Sequence, residues 1–518
     1  EIAQCLVGSE MCIRDRAKIF QQDGFSPLYD EGWNFETIRK ENLFLQKVGN
    51  CEMDESLRER FKAEVRAMRA WTYLGMTMTF GKVPLITEVL DYNSPNIPRD
   101  EVSVIRDFIM KELTEAAAIL PEKYAGGYPN EKGRITKYAC LSLKARAALY
   151  FGDYALAEST AKEVMDKGGF SLFKISSLSD AQKKEAEEMS LYIDFAEKGI
   201  DKDEFVKGMF NYEALWHTEN ANPDNPEYIM TRQYAASSWN YQDMTRYTSM
   251  RPNQLGGWSS VTPTQNLVDA YWGVDGHSVP QLPTPEERAK AYNQIKADLD
   301  AYQKPEGEAK FIAFCQEKIK NGTLKDYKYI QEFRNRDSRM YVSILMPFKS
   351  WYESNYGDKF VYEWIKNGNN ESKTGFNFRK MLSLENDANG DGQATGDYPC
   401  IRYAEILLIY AEAHTQTTGY DAATEAALNQ LRDRCGMPDV PSGLSKEEGL
   451  KLIQNERRIE LAGEGFRGDD MTRYSDDYWK EHMNNVPIMT PDGDTELTMK
   501  WSSRMPVSYT HLTLPTRL

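Results

Sequence analysis

The sequence predicts an all-α-dominated fold: a scaffold of tetratricopeptide-like helix pairs interrupted by a large, irregular, loop-rich insertion. Three observations predict it. Residues 55–80 carry apolar side chains at three- and four-residue steps. Residues 136–168 and 402–438 each read as two helices rich in small residues, joined by a glycine-containing turn. Between those two units, from about 170 to 400, the periodicity fades. Gly, Pro, Asn, Asp and Ser rise there, mixed with aromatic residues.

In chain order, ESLRERFKAEVRAMRAWTYLGMTMTF (55–80) predicts an amphipathic helix whose buried stripe is Phe61, Val65, Met68, Trp71 or Thr72, and Leu74 or Gly75. Gly81 and Pro84 break it. The loop DYNSPNIPRD precedes a second helix from about Val102 to Leu120, stopped by Pro121. In the unit 136–168, Ala145 and Ala148 allow close helix approach, Gly152 and Asp153 make the turn, and Tyr154, Ala157, Ala161 and Val164 line the second helix. Gly168 and Gly169 end it. In 402–438, Gly419 and Tyr420 take the place of the turn, and Ala423, Ala427 and Leu431 are expected to face inward. A single helix pair cannot cover its own apolar face, so several must stack.

The totals narrow the function. Sixty-three basic against 79 acidic side chains give a net charge of −16, which repels phosphate backbones and argues against nucleic acid. Seven cysteines form no CxxC or CxxH pattern, and five histidines are dispersed, so neither zinc nor a disulfide framework is predicted. No run of 18 apolar residues exists, so no spanning helix is predicted. GxSxG, Walker and GxGxxG motifs are absent. Residues 1–16 and 506–518 resemble peptides translated from sequencing-adapter DNA at a contig edge. The natural chain is therefore expected to begin before Ala17 and to continue past Met505.

Three features bear on chemistry. In QNERRIELAGEGFRGDDMTRY (454–474), Glu456, Glu460 and Glu464 stand four apart, with Arg457, Arg458 and Arg467 nearby. Leu452, Ile459 and Phe466 mark the buried stripe, and Arg457–Glu460 has i, i+3 spacing. A buried glutamate beside arginine stays ionised, whereas a general acid needs the opposite shift, so an ionic lock is favoured over a glycosidase carboxylate pair. DANGDG offers Asp387, Asn389 and Asp391 at calcium-loop steps, but Tyr398 occupies the twelfth position, which excludes an EF-hand and leaves a polar turn or a calcium site.

The aromatic loops are the third feature. A sugar presents C–H groups on one face and hydroxyls around its rim. A flat ring takes the face, and amides or charges take the rim. Trp239, Asn240, Tyr241 and Gln242 offer that mixture, as do Trp258 after two glycines, Trp351 with Tyr352, and Tyr92 with Asn93. Trp71, Trp272 and Trp364 sit in helical patterns and read as core.

Seven stretches, 63–88, 133–168, 262–276, 335–347, 374–381, 401–413 and 455–474, together resemble the SusD/RagB family, the glycan-binding outer-membrane lipoproteins of Bacteroidetes. The resemblance implies an N-terminal helical scaffold (17–170), an irregular aromatic-rich ligand-binding region (171–400) and a C-terminal helical segment (401–505). It implies a non-catalytic protein, exposed on the outer membrane, that captures an oligosaccharide or starch-like polysaccharide for a SusC-like TonB-dependent transporter. Membrane attachment would come only through a lipid on a cysteine missing from this sequence; Cys5, after Ile-Ala-Gln, lacks the small residue that a lipobox places before its cysteine. No cofactor is implied. Two other readings stay open: an all-helical glycoside hydrolase, which needs two carboxylates across a cleft, and a pure protein-interaction scaffold.

Overall fold

The computed structural model describes residues 32–91, 96–125, 130–234, 261–352, 360–364, 374–382 and 395–475, with the shorter pieces 11–13, 94, 257, 259, 371–372, 478, 486–487 and 498–499. The scaffold begins with α1 (Phe35–Lys47), α2 (Glu55–Phe80), α3 (Val102–Ile119), α4 (Lys137–Tyr150) and α5 (Tyr154–Lys167). The inserted region contributes α6 (Asp180–Glu188), α7 (Lys202–Ala214), α8 (Gln265–Ala270), α9 (Pro285–Ala301) and α10 (Lys310–Lys320). The chain then returns through α11 (Tyr403–Thr417), α12 (Ala422–Arg434), α13 (Lys446–Glu460) and α14 (Arg467–Tyr474). Strands are few and short among the described residues, forming two-stranded antiparallel ladders.

Each scaffold helix packs on the next from α1 to α5, and α5 then packs on α11, which packs on α12 and α13. The insertion therefore loops out of one continuous stack, and the helices before and after it share a single apolar cluster. Local signals set the ends. Asp54, Thr136, Asp153 and Asp421 each accept a backbone N–H as N-caps of α2, α4, α5 and α12. The turn glycines Gly152 and Gly419 adopt φ +76° and +117°, a conformation that glycine alone enters freely.

The limits of α2 are as predicted and Leu74 of the predicted stripe is buried, but the rest of its buried face is not the predicted one. Ala63, Ala67, Ala70, Leu74 and Thr77 are buried, while Phe61 and Val65 are half-buried and Met68 is exposed. The period is right and the phase is two residues off, about 200° around the helix. The physical reason is that α1 and α3 close on the alanine face. The polar groups on that face are paired: Arg69 donates to Glu112 at 2.7 Å and to Asn42 at 2.7 Å. Trp71, expected in the core, is half-buried against it.

The inserted region is more helical than its composition suggests and builds a second apolar core, to which Cys435, Met437, Ile459 and Ala462 of the C-terminal segment also contribute. Two of its helices carry legible start signals. Ser179 with Gln182 and Thr284 with Glu287 form reciprocal capping boxes, the second with proline at the first turn. Dense Gly, Pro and aromatic residues around them diluted the periodicity. Trp272 and Trp364 lie in this core, as expected, although neither is within a helix.

His414 ties three helices of the stack. Its Nδ1 is 2.8 Å from Glu158 on α5, and its Nε2 is 3.1 Å from Asp421, the cap of α12. Both partners only accept, so both ring nitrogens must donate, which requires the imidazolium. Burial opposes that charge, but the hydrogen bonds to Glu158 and Asp421 outweigh it and hold the His414 pKa above its ordinary value. A raised histidine pKa gives stability that is complete below the unfolded value of about 6.5 and is lost as pH rises through the folded value. His414→Gln is therefore expected to melt below wild type at about pH 6, with the gap closing towards about pH 9. Thermal melts across that range check it; a gap that widens with pH would contradict the assignment.

Candidate functional site

The irregular region meets the scaffold through charge. Helix α13 opens on a Ser445 capping box and ends at Glu460. Gly463 and Gly465, at φ +78° and +91°, turn the chain beyond it, so Glu464 lies off the helix and does not extend an i, i+8 row. Glu456, Glu460 and Glu464 are nevertheless all buried, at 0%, 0% and 4% exposure. Their partners come from distant segments. Glu456 binds Arg339 at 2.7 Å and Arg432 at 2.6 Å. Glu460 binds Arg402 at 2.8 Å, Arg339 at 3.0 Å and Arg434. Glu464 binds Arg402 at 2.6 Å and Lys380 at 2.7 Å.

Glu227 joins through Arg402 and Arg434, and Asp337 through Arg339. Five carboxylates thus face five cations, and the buried network is formally neutral. The neighbouring arginines do not serve it. Arg457 pairs with Asp470 at 2.8 Å instead of Glu460, and Arg458 reaches the Asn266 carbonyl. Side chains at i and i+3 were close enough to pair, but Arg457 faces α14 while Glu460 faces the inserted region.

The electrostatics decide what this cluster can do. Burial alone would raise all three glutamates, but the surrounding guanidiniums, and Lys380 at Glu464, hold each below the usual carboxylate range. None can donate a proton near neutral pH, and none is open to a substrate. Burial pushes the Lys380 ammonium down to about 8, while Glu464 holds it in place. The cluster is an ionic joint, as the sequence favoured, with partners the sequence did not supply.

Above this joint, Tyr228–Arg232 pairs antiparallel with Tyr398–Arg402, from Tyr228 opposite Arg402 to Arg232 opposite Tyr398. Tyr398 donates to the Glu464 carbonyl at 3.2 Å, which fixes the ladder to the joint. Just past the last rung, Asp397 accepts the Tyr234 N–H and the Thr231 hydroxyl, each at 3.3 Å. Sequence reasoning missed Asp397; GDYP resembles any loop, and only the ladder gives it neighbours.

Of the aromatic and amide side chains assigned to ligand binding, Trp239, Asn240, Tyr241, Gln242, Trp258, Tyr92 and Asn93 lie outside the described residues. So do the calcium-loop positions Asp387, Asn389 and Asp391. Trp351 is a correction. It is 0% exposed, in a strand paired with Phe360–Val361, with the Arg379 guanidinium 4.9 Å from its ring centre. A ring covered on its faces cannot receive a sugar, so Trp351 belongs to the core. Tyr352 beside it is half-buried and donates its hydroxyl to Glu188. Burial, then that bond, raises its phenol above the ordinary value. Among the described residues, no group of three or more His, Cys, Asp or Glu could hold a metal ion, and no helix is long and apolar enough to cross a membrane.

The SusD family profile matches residues 226–511, just over half the chain. SusD-like protein P38 of Formosa agariphila is 21% identical over 453 residues, covering 85% of this chain and 70% of that protein. A SusD-like protein from Bacteroides fragilis is 26% identical, with TM-score 0.69, covering 94% of this chain and 85% of its own. A second B. fragilis structure, described as a SusD-like carbohydrate-binding protein, shares the fold at 19% identity and TM-score 0.66, covering 99% of this chain and 91% of its own. With a profile match that takes in the ladder, the joint and the helices that carry it, the chain belongs to the SusD family.

Proposed function

We propose that this protein is a surface lipoprotein of the outer membrane that captures an oligosaccharide or starch-like polysaccharide and delivers it to a SusC-like TonB-dependent transporter. The family match over 226–511 carries the reading. Proteins of the same fold include one described as laminarin-binding and one solved with a xylogluco-oligosaccharide. The scaffold of 17–170 and 401–505 holds the region 171–400, and that region presents rings and amides to the sugar. Trp239, Asn240, Tyr241, Gln242 and Trp258 are the leading contacts, with Tyr352, Tyr92 and Asn93 at the margin.

Capture followed by release calls for weak binding, micromolar to millimolar, or about −8 to −4 kcal/mol. Losing one stacked indole from such a site removes about 1–1.5 kcal/mol, roughly tenfold in affinity. Trp239→Ala is thus expected to run markedly faster than wild type through a polysaccharide affinity gel, with an unchanged melting temperature. Equal retardation of variant and wild type would remove Trp239 from the site. New reducing ends from polysaccharide incubated with the pure protein would instead favour a hydrolase.

A further inference from the structure

We infer that Asp269 and Glu332 form a pH-sensitive latch that fastens the start of α9 to α8, closed while the two carboxyls share one proton and loosened when both are ionised. The device is independent of which ligand the protein takes.

Four side chains close a ring. Arg288, near the start of α9, donates through Nη2 to Asp269 at 2.8 Å and through Nε to Glu332 at 2.7 Å. Gln265, the first residue of α8, donates its amide nitrogen to the same two oxygens, at 2.9 Å and 3.1 Å. The Arg288 and Glu332 side chains are each 3% exposed. Helix α8 is the fixed side of the ring. Asn455 of α13 donates to the Ala270 carbonyl at 2.9 Å, and Arg458 to the Asn266 carbonyl at 3.1 Å. Beyond Arg288, α9 is held by apolar packing, with the Tyr292 ring 5.1 Å from Tyr329 and 5.8 Å from Trp364. Its first turns therefore depend on the ring.

Within the ring, two carboxyls face one guanidinium. Like charges sharing a dry site repel, and one proton held between them removes the repulsion. Asp269 from α8, Arg288 from α9, Tyr329 from the short helix Lys328–Gln331, and Arg336 are the groups that face Glu332. Arg336 is committed to the carbonyls of Val268 and Tyr271, each at 2.8 Å, and of Glu332 at 3.2 Å. Burial holds the Tyr329 phenol well above its ordinary value, so it stays neutral. Burial likewise pushes the Glu332 carboxyl up to about 7, with Arg288 opposing the shift and Asp269 adding to it. Protonated, Glu332 can donate as well as accept, and Arg288 balances a single charge. Ionised, it leaves one guanidinium to balance two. A carboxyl raised above its unfolded value of about 4.3 gives stability that is complete below that value and is lost as pH rises through the folded one. The latch therefore weakens between about pH 6 and about pH 8.

Hydrogen exchange on the full chain tests it, in peptides covering 284–292 and corrected for the intrinsic pH dependence of exchange. Wild type is expected to lose about tenfold in protection there between about pH 6 and about pH 8. Glu332→Gln keeps an acceptor but cannot ionise, and should hold nearly the same protection at both. Any contribution from His414 is common to the two proteins, so their difference isolates the latch. Asp269→Asn leaves Arg288 and Glu332 as a one-to-one pair, and its loss of protection should move to lower pH. Wild-type protection that stays level across the range overturns the inference without any variant. A Glu332→Gln protein that loses as much as wild type overturns it too, because another group would then be titrating. An Asp269→Asn response centred at the wild-type pH would overturn the shared proton.

Discussion

Arg402→Ala is expected to be among the most destabilising single substitutions in this protein, costing about 3–5 kcal/mol or more. Arg402 sits where scaffold and inserted region meet, 1% exposed. Its guanidinium donates to Glu227 at 2.8 Å, to Glu460 at 2.8 Å and to both oxygens of Glu464 at 2.6 and 2.7 Å. It also reaches the Glu460 carbonyl at 2.8 Å. Deleting it leaves three buried carboxylates short of a partner, and the neutral network becomes net negative in a medium that solvates charge poorly. Total stability for a domain is only about 5–15 kcal/mol, so the loss is a large share of it. The denaturant midpoint and the expression yield of soluble protein report it. Arg402→Lys keeps the charge but not the fork, and should fall between the two. As a control, Lys451→Ala removes an ion pair exposed on both sides and should leave the midpoint where it was. A wild-type midpoint for Arg402→Ala would mean that the joint is not what holds the two regions together.

Gly208→Ala is expected to destabilise by about 2–3 kcal/mol, against the direction that helix propensity predicts. Gly208 lies inside α7, where alanine would ordinarily be favoured by about 1 kcal/mol. Here the helix crosses the turn after α12, and a Cβ would fall well inside contact distance of the Gly436 nitrogen and the Cys435 carbonyl carbon. Those are backbone atoms and cannot rotate away. The same turn is fixed from both sides: Asn211 donates to the Arg434 carbonyl at 2.9 Å, and Ser338 donates to the Cys435 carbonyl at 2.5 Å. Any shift is therefore passed to Arg434 and the ionic joint. Gly75→Ala in α2 is the comparison. Nothing lies within 4 Å of its Cβ position, so it should stabilise by about 0.5–1 kcal/mol. Urea midpoints of the two variants should move in opposite directions; a shared direction would mean that propensity, not packing, governs both sites.

Much of the scaffold was legible because its signals are local. The caps Asp54, Thr136, Asp153 and Asp421 sit beside the helices they start, and Gly152 and Gly419 sit in the turns they permit. The phase of α2 was not legible, because alanine is as apolar as a helix surface allows and reveals its burial only when a neighbour arrives. Nor were the partners of Glu456, Glu460 and Glu464. Arg457 stands one residue from Glu456 and three from Glu460, yet Arg339 and Arg402, 117 and 58 residues away, make the bonds.

The site divides along the same line. Aromatic residues beside amides can be seen in a sequence, and they motivated Trp239 and Trp351 alike. Only the tertiary structure shows Trp351 covered by Arg379 and Asp397 clasping Tyr234. By itself the sequence determined the helix pairs, their turns and the lock-like character of the glutamates, because each depends on neighbours within a few positions. Which arginine meets which glutamate, and which ring is left for a ligand, were decided by the fold alone. Ion pairing and burial act over a few ångströms in space, and chain separation says nothing about that distance until the helices have packed.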